Sequence, residues 1–574
     1  MENIIFHKES YVELRCEKTI KSSDDSNIKT IIKPIKENIY SISASANIEN
    51  VRKLVIRFEI PCVEKYQNVL IHDFLNSGFK KLVDSYKSKF FCSVFDNDGV
   101  GITVMNNLPS KFDSNILVEK ENDKISIFLE TIIPYSYDGD FFSECFTVTV
   151  NLPYTEALLL NASNSSAHQI SENPIGWGSW DYYFTAVDED AIRENTDFIT
   201  NDEILSKKIK YIAIDDGWQQ REGDWQEGIR FKNGLGNTVK YINDKGYSAG
   251  IWTAPTRLHY LSGTVMRRNE FLLKDKYGDP LMDEEFYILD PTHPDGESFI
   301  RETYSYIRKK GFTFYKIDFI NNMLSGEYFY DKNAGPYDAL KKLISVIREC
   351  VGKESHIMGC SLPYGYGSGD VDSRRTGLDI HNTWKHIKKC SEIYFPQFAS
   401  QKSIYQNDLD YLIVRGKDTT DEKDTNVLNP SKGKYLNNKT DEFRWRDGED
   451  FSYSEAKFWC TVILMSGSSV ILSDRLSLLN EKGLDLVRKT VENADFISAI
   501  PMDNHGDLPN IWYKKENGSI YILNYTEDTK TYSVNTEEKY KDIFSGKVFS
   551  SENGVLTISL EKHDSIALKK ENNK

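Results

Sequence analysis

Two stretches pair a carboxylate with a neighbour that would let it do chemistry. In the first, Phe312-Thr-Phe-Tyr-Lys-Ile-Asp318, an apolar strand-like run closes on Asp318, and Lys316 lies two residues back on the same strand face. A carboxylate there is costly to desolvate unless a cation or hydrogen-bond donors serve it. Kept ionised by an ammonium, Asp318 is suited to attack an electrophilic carbon and form a covalent intermediate; a purely structural ion pair explains the same residues. In the second, Arg375-Thr-Gly-Leu-Asp379, another carboxylate follows a cation, though alone Asp379 reads as a loop or capping residue. Together they match glycoside hydrolysis, in which one carboxyl group attacks and the other protonates the leaving oxygen.

Other groups could hold a substrate. Asp215-Asp216-Gly217-Trp218 places two carboxylates and an indole at a strand end, able to accept hydrogens from sugar hydroxyls and stack on a ring face. A metal site is the rival reading, and no histidine cluster accompanies it. Cys360 and Ser361 close another strand; Cys360 reads as a buried inert thiol, since thiolate catalysis would need a base that is not evident. Trp177, Trp180, Trp218, Trp252 and Trp384 are each sugar platform or core, with Trp177 foremost as a platform. His259, His293 and His381 stand in loops without metal-ligand spacing, so neither metal nor cofactor is expected.

The elements that must position these residues alternate in type. From Gly176 onward, short apolar strands (IGWGSW, YIAIDDGW, SAGIWTAP, TFYKIDFI, SHIMGCSLP, TGLDIH, SIYQNDLDYLIV, SSVILSD) are separated by helical patterns such as 339–348, behind Pro336, and 484–491. Eight such units predict a closed (β/α)8 barrel, a TIM barrel, whose working residues gather where strands end. Before it, YSISAS, RKLVIRFEI, KISIFLETII and CFTVTVNL alternate as an antiparallel β-sandwich does. After it, IWYKKENGSIYILNYT, TYSVN, KVFSS and LTISLEKHDSIALKK predict a small C-terminal antiparallel β domain. The small, polar run 161–166 reads as a linker. The expected domains are therefore 1–165, 166–498 and 499–574.

The 574 residues suffice for a barrel and two smaller domains, and 39% hydrophobic with 13% aromatic content excludes disorder. A net charge of −16 argues against nucleic acid or an anionic membrane as partner. The eight cysteines are scattered singly, with no C-x-x-C pair, so neither a zinc site nor a disulfide framework follows. The N-terminus lacks a basic segment followed by an apolar run, and there is no 18-residue apolar stretch, so a cytoplasmic location is expected. Oligomeric state cannot be read from these patterns.

The order of four motifs resembles the α-galactosidase (melibiase) clan, glycoside hydrolase families 27 and 36. Gly176-Trp177-Gly-Ser-Trp180 is similar to the clan's first strand, Ile214-Asp215-Asp216-Gly-Trp218 to its second, Tyr315-Lys316-Ile-Asp318 to its nucleophile strand, and 375–379 to its acid/base segment. The resemblance covers about 170–480 and implies a retaining exo-glycosidase releasing terminal α-linked galactose-type sugars from an oligosaccharide or glycan. It implies Asp318 as nucleophile, Asp379 as acid/base, Asp215 and Asp216 on the O4 and O6 hydroxyls, Lys316 bridging nearby hydroxyls, and Arg375 serving the C2 substituent. Ser361 after Cys360 resembles the α-N-acetylgalactosaminidase pattern, where family 27 galactosidases carry glutamate, although Tyr364 stands where those acetylgalactosaminidases carry alanine. Asn407-Asp408-Leu409-Asp410 is similar to an N-D-P-D stretch with leucine for proline, which places Asp410 in support. Rival readings are transglycosylation, as in raffinose-synthase-like relatives, a non-catalytic sugar-binding barrel, and a metal-dependent lyase or isomerase.

Overall fold

The computed structural model of this chain is organised around eight short parallel strands. The structure describes residues 9–15, 18–61, 63–73, 77–107, 110–121, 124–164, 174–367, 369–422, 425, 428, 448–503 and 508–571. The parallel strands are β1 (Ile175–Gly178), β2 (Tyr211–Ile214), β3 (Ser248–Thr253), β4 (Phe314–Ile317), β5 (His356–Gly359), β6 (Ser373–Arg375), β7 (Gln406–Asp408) and β8 (Val470–Leu472). They pair in the order β7-β6-β5-β4-β3-β2-β1-β8. The two edges meet where Ser469 N donates to Asn407 O at 2.9 Å and Leu412 N to Ile471 O at 2.8 Å. This is the layout of a TIM barrel, in which every strand sends its C-terminal end to one rim.

Helices cover the sheet because their apolar positions recur at helical spacing. Pro336–Val351 starts on Pro336, whose missing N–H costs nothing at a helix start, and buries Leu340, Leu343, Ile344 and Ile347. Glu481–Asn493 is capped by the Asn480 side chain, which accepts from Lys482 N and Gly483 N.

The sixth strand differs from expectation. It is Ser373–Arg375, and the more apolar 376–381 forms the loop after it. Charged Ser-Arg-Arg becomes a buried strand because its arginines find acceptors: Arg374 Nε donates to Leu362 O at 2.8 Å, and Arg375 meets carboxylates. Asp379 thereby sits in a βα loop and not within the sheet.

Two antiparallel sheets precede the barrel. Val51–Pro61 pairs with Lys124–Ile132 in one, and Val100–Asn106 with Phe146–Pro153 in the other. Leu54, Ile56 and Phe58 belong to one core with Val94, Val104 and Val148. The expected linker 161–166 is partly helical: Tyr154–Asn164 is one helix, its Ala162 buried and Asn161 Nδ2 donating to Ala157 O at 2.9 Å. The remainder of that stretch, 165–166, lies outside the described residues. After the barrel, Ile520–Leu523 pairs with Ser565–Lys570 in a further antiparallel sheet. Thr461 and Ser565 hydroxyls share a hydrogen bond of 2.8 Å, and Trp384 stacks on His563 at 3.9 Å, so Trp384 serves this junction and presents no platform to a sugar. No helix among the described residues is long and apolar enough to cross a membrane.

Candidate active site

Asp318 directly follows β4. Its carboxylate accepts from Ser361 Oγ at 2.5 Å, Phe319 N at 2.7 Å and Trp252 Nε1 at 3.2 Å. Burial pushes its pKa up, but the Lys316 charge and these donors outweigh that effect and hold it below the ordinary aspartate value. Asp318 is thus an anion aimed from the strand end. Phe319 and Ser361, which supply two of the donors, adopt φ of 53° and 48°. Non-glycine residues rarely accept that left-handed backbone, and here it serves to turn donors onto one carboxylate.

Lys316 does not form the expected direct ion pair with Asp318. Its ammonium lies 2.9 Å from Asp215 Oδ2, and the same oxygen accepts from Tyr411 Oη at 2.5 Å. Lys316 on β4 and Asp215 at the end of β2 stand on alternate strands, with β3 between them, and meet inside the barrel, where alternate strands share a layer of side chains; the lysine therefore meets this aspartate rather than the one two residues along its own strand. Asp216 points elsewhere, accepting from Gln219 Nε2 at 2.6 Å. Burial, then Glu222 and Asp215, push its pKa up to about 7. The following Gly217 has φ 113°, and a Cβ there would lie 2.7 Å from the Thr185 backbone.

Asp379, in the loop after β6, is partly exposed and accepts from Arg375 Nη1 at 2.9 Å and from Trp180 Nε1 at 3.3 Å. Arg375 is buried and also meets Asp408, at 3.4 Å, and Asp410. Asp410 Oδ2 in turn accepts from Ile380 N at 2.7 Å, tying the loop that carries Asp379 to the end of β7. Arg375 is therefore committed to three carboxylates before any substrate substituent arrives.

Cys360 is buried, and burial first, then Asp318, pushes its thiol well above the usual range. Asp379 adds to that shift while Arg375 and Lys316 oppose it, which places Cys360 among all four charged groups. Ser361, the residue expected to face a C2 substituent, has its hydroxyl on Asp318 instead.

Trp177 and Trp218 are core residues and not the sugar platforms expected. Both are 0% exposed, with indole N–H groups donating to Asp474 O at 2.9 Å and Trp252 O at 2.8 Å, so neither offers a ring face to a sugar. Alternation explains it, since a Trp on or just past a barrel strand can face the core as readily as the rim. The indoles that do reach the site are Trp180 and Trp252, one on each carboxylate. Their role as donors was not legible in their positions, because the partners lie far along the chain, 66 residues on for Trp252 and 199 for Trp180. Tyr411 was likewise missed: it follows the substituted Asn407-Asp410 stretch and gives no motif of its own. His259 and His293 accept from backbone N–H groups two residues on, and His381 contacts Asp181.

No protein-family model matches the chain. An α-galactosidase of Coffea arabica is 32% identical over 85 residues, which is 14% of this chain and 22% of the relative. Among solved structures, the family 36 α-galactosidase AgaA of Geobacillus stearothermophilus superposes with a TM-score of 0.62 at 11% identity, covering 98% of this chain and 89% of that one. The α-galactosidase of Thermus thermophilus in complex with stachyose gives 0.60 at 15% identity, covering 80% and 99%. In sequence and in fold the chain is α-galactosidase clan-like, of the family 36 and 27 type. The sequence match spans only about a fifth of the coffee relative's length.

For a clan-like barrel, Asp215 and Asp216 are expected to differ when neutralised. If Asp216 accepts a substrate hydroxyl, Asp216→Asn should cost about 1–3 kcal/mol in kcat/KM and leave folding nearly intact. Asp215→Asn should in addition lower stability by about 3–5 kcal/mol, because it strands the buried Lys316 charge. Thermal melting beside steady-state kinetics separates the two; equal melting of both variants would contradict the assignment of Lys316 to Asp215.

Proposed function

We propose that the chain is a retaining exo-glycosidase that releases terminal α-linked galactose by double displacement. In this reading Asp379 protonates the leaving oxygen while Asp318 attacks the anomeric carbon; Asp379 then activates the water that releases the sugar. The observation that carries the proposal is the pair of carboxylates at one barrel rim, each held by an indole N–H and each given a distinct second partner: donors that keep Asp318 ionised, and Arg375 for Asp379. Asp215 and Asp216 are proposed to accept hydrogens from sugar hydroxyls, Asp215 with Lys316 already fixed beside it. The α-galactosidases of similar sequence and fold support the choice of sugar. The test is a panel of nitrophenyl α-glycosides: the α-galactoside should turn over far faster than the α-glucoside, and no turnover of any member would leave a sugar-binding barrel as the better reading.

A second substrate, terminal α-N-acetylgalactosamine, rests on the sequence resemblance at Cys360-Ser361 alone, since the Ser361 hydroxyl is held by Asp318. Turnover of the acetamido glycoside comparable to that of the galactoside carries it; none at all removes it and leaves the galactose reading standing.

Ser361 also makes a prediction about pH. It donates one of the hydrogen bonds that lower the Asp318 pKa. Ser361→Ala removes a donor to the ionised form, so the pKa rises and the acidic limb of kcat/KM moves to higher pH. An acidic limb that stays in place, with kcat unchanged, would show that Ser361 does not serve the nucleophile.

A further inference from the structure

A cavity of about 230 Å³ lies between the N-terminal sheets and the barrel. The sandwich contributes His72, Asp73, Lys89, Phe90 and Asp113, and the barrel contributes Arg374 and Ser361 among others. Of its lining residues, only Ser361 has a part in the proposed mechanism.

Arg374 is the unusual group there. It is 1% exposed, and its Nε and Nη1 donate to neutral acceptors, Leu362 O at 2.8 Å and Gln397 Oε1 at 2.5 Å. Its third nitrogen, Nη2, has no hydrogen-bond acceptor, and no carboxylate lies within ion-pair distance, among the described residues. The rings of Tyr364 and Tyr405, at 5.7 and 5.6 Å, are its other company. Its neighbour on the strand, Arg375, is met by three carboxylates, so the contrast lies within one dipeptide. Buried cations are ordinarily paired. Beside it His72 is 1% exposed; neither ring nitrogen has a partner in good hydrogen-bond geometry, and the Gln397 amide is the side chain near enough to favour its protonated form. The imidazole is held neutral, with a pKa lowered to about 3 by burial and then by Arg374, so it can donate one hydrogen bond and accept another.

The remaining cavity groups have a different chemistry. Asp113 is bonded to Lys89 Nζ at 2.6 Å, Asp73 is partly exposed, and Phe90 presents an aromatic ring. Carboxylates with an ammonium and an aromatic face are what a polyhydroxylated ring meets in a protein, whereas an unpaired guanidinium calls for an anion.

We propose that this cavity is a binding site for an acidic saccharide, whose anionic group pairs with Arg374 beside His72 while its hydroxyls meet Asp73, Asp113 and Lys89. The anion is a uronate carboxylate or a phosphate ester, two sources of one chemistry. Ser361 is shared between this cavity and Asp318, so an occupant adjoins the proposed nucleophile through one residue. The proposal does not depend on the hydrolytic reading, because binding can be measured without turnover.

The test is calorimetric titration of the full chain with D-glucuronate, inorganic phosphate and D-glucose. Two variants accompany the wild type: Arg374→Met, and Ser325→Trp, which fills the cavity mouth from an exposed position and removes no buried group. Saturable binding of either anion is expected, at least about tenfold tighter than glucose and weakened at least about tenfold by each variant that remains folded. Binding of glucuronate alone assigns a uronate; binding of phosphate alone assigns a phosphate ester. Failure of both anions to bind, glucose binding as tightly as glucuronate, or anion binding unchanged in Ser325→Trp would overturn the proposal.

Discussion

Asp318→Ala is expected to lose turnover of an aryl α-galactoside by on the order of 10⁴-fold or more in kcat, as when a nucleophile is removed from other covalent catalysts. The fold should survive it. Lys316 keeps Asp215 as its ion partner at 2.9 Å, so no buried charge is left bare, and Ser361 and Trp252 lose only an acceptor at a partly exposed site. Azide added to the variant should restore turnover, because a small anion can occupy the space of the lost carboxylate and attack from the same face. The product would then be the β-galactosyl azide, inverted relative to the substrate. Activity near that of the wild type, or an α-azide from this variant, would remove Asp318 from the nucleophile's place.

Asp379→Ala should fail differently. A general acid contributes roughly 10²–10⁴-fold, and it matters most when the leaving group is a poor one. Alkyl and sugar leaving groups should therefore lose most of that factor in kcat/KM, while a dinitrophenyl leaving group, which departs without a proton, should lose much less. Azide in this case should intercept the glycosyl-enzyme and give the α-azide, with retention. Arg375 keeps Asp408 and Asp410, so stability is expected to change little. A uniform loss across leaving groups would indicate that Asp379 positions substrate and moves no proton.

The parallel sheet was legible because its strands are short apolar runs between amphipathic helices, as in Tyr211–Ile214 before the Asp215-Asp216 pair. It failed to be legible at the sixth strand, where Ser373–Arg375 is buried in spite of its charge; two of the three carboxylates that meet Arg375 lie more than thirty residues away, and Arg374 is served by the Leu362 carbonyl and the Gln397 amide. The same distance explains the site. Asp215 and Asp318 announce themselves at strand ends and Asp379 only together with Asp318, but sequence separation hides which partner each one takes. Lys316 looked like the partner of Asp318 because two residues is one strand period, yet the barrel sets it against Asp215. The tryptophans were ambiguous for the same reason: three residues of sequence do not distinguish Trp177, on β1 and turned into the core, from Trp180, at the start of the helix Trp180–Tyr183 and turned onto Asp379.

Trapping the covalent intermediate tests the central claim most directly. The wild-type chain is incubated with a fluorinated galactosyl donor that forms the glycosyl-enzyme faster than water releases it, then digested, and the sugar-bearing peptide is sequenced by mass spectrometry. A double-displacement enzyme built as described carries the label on Asp318. Label on Asp379 or Asp216, or galactoside turnover with no covalent adduct at all, would contradict the account.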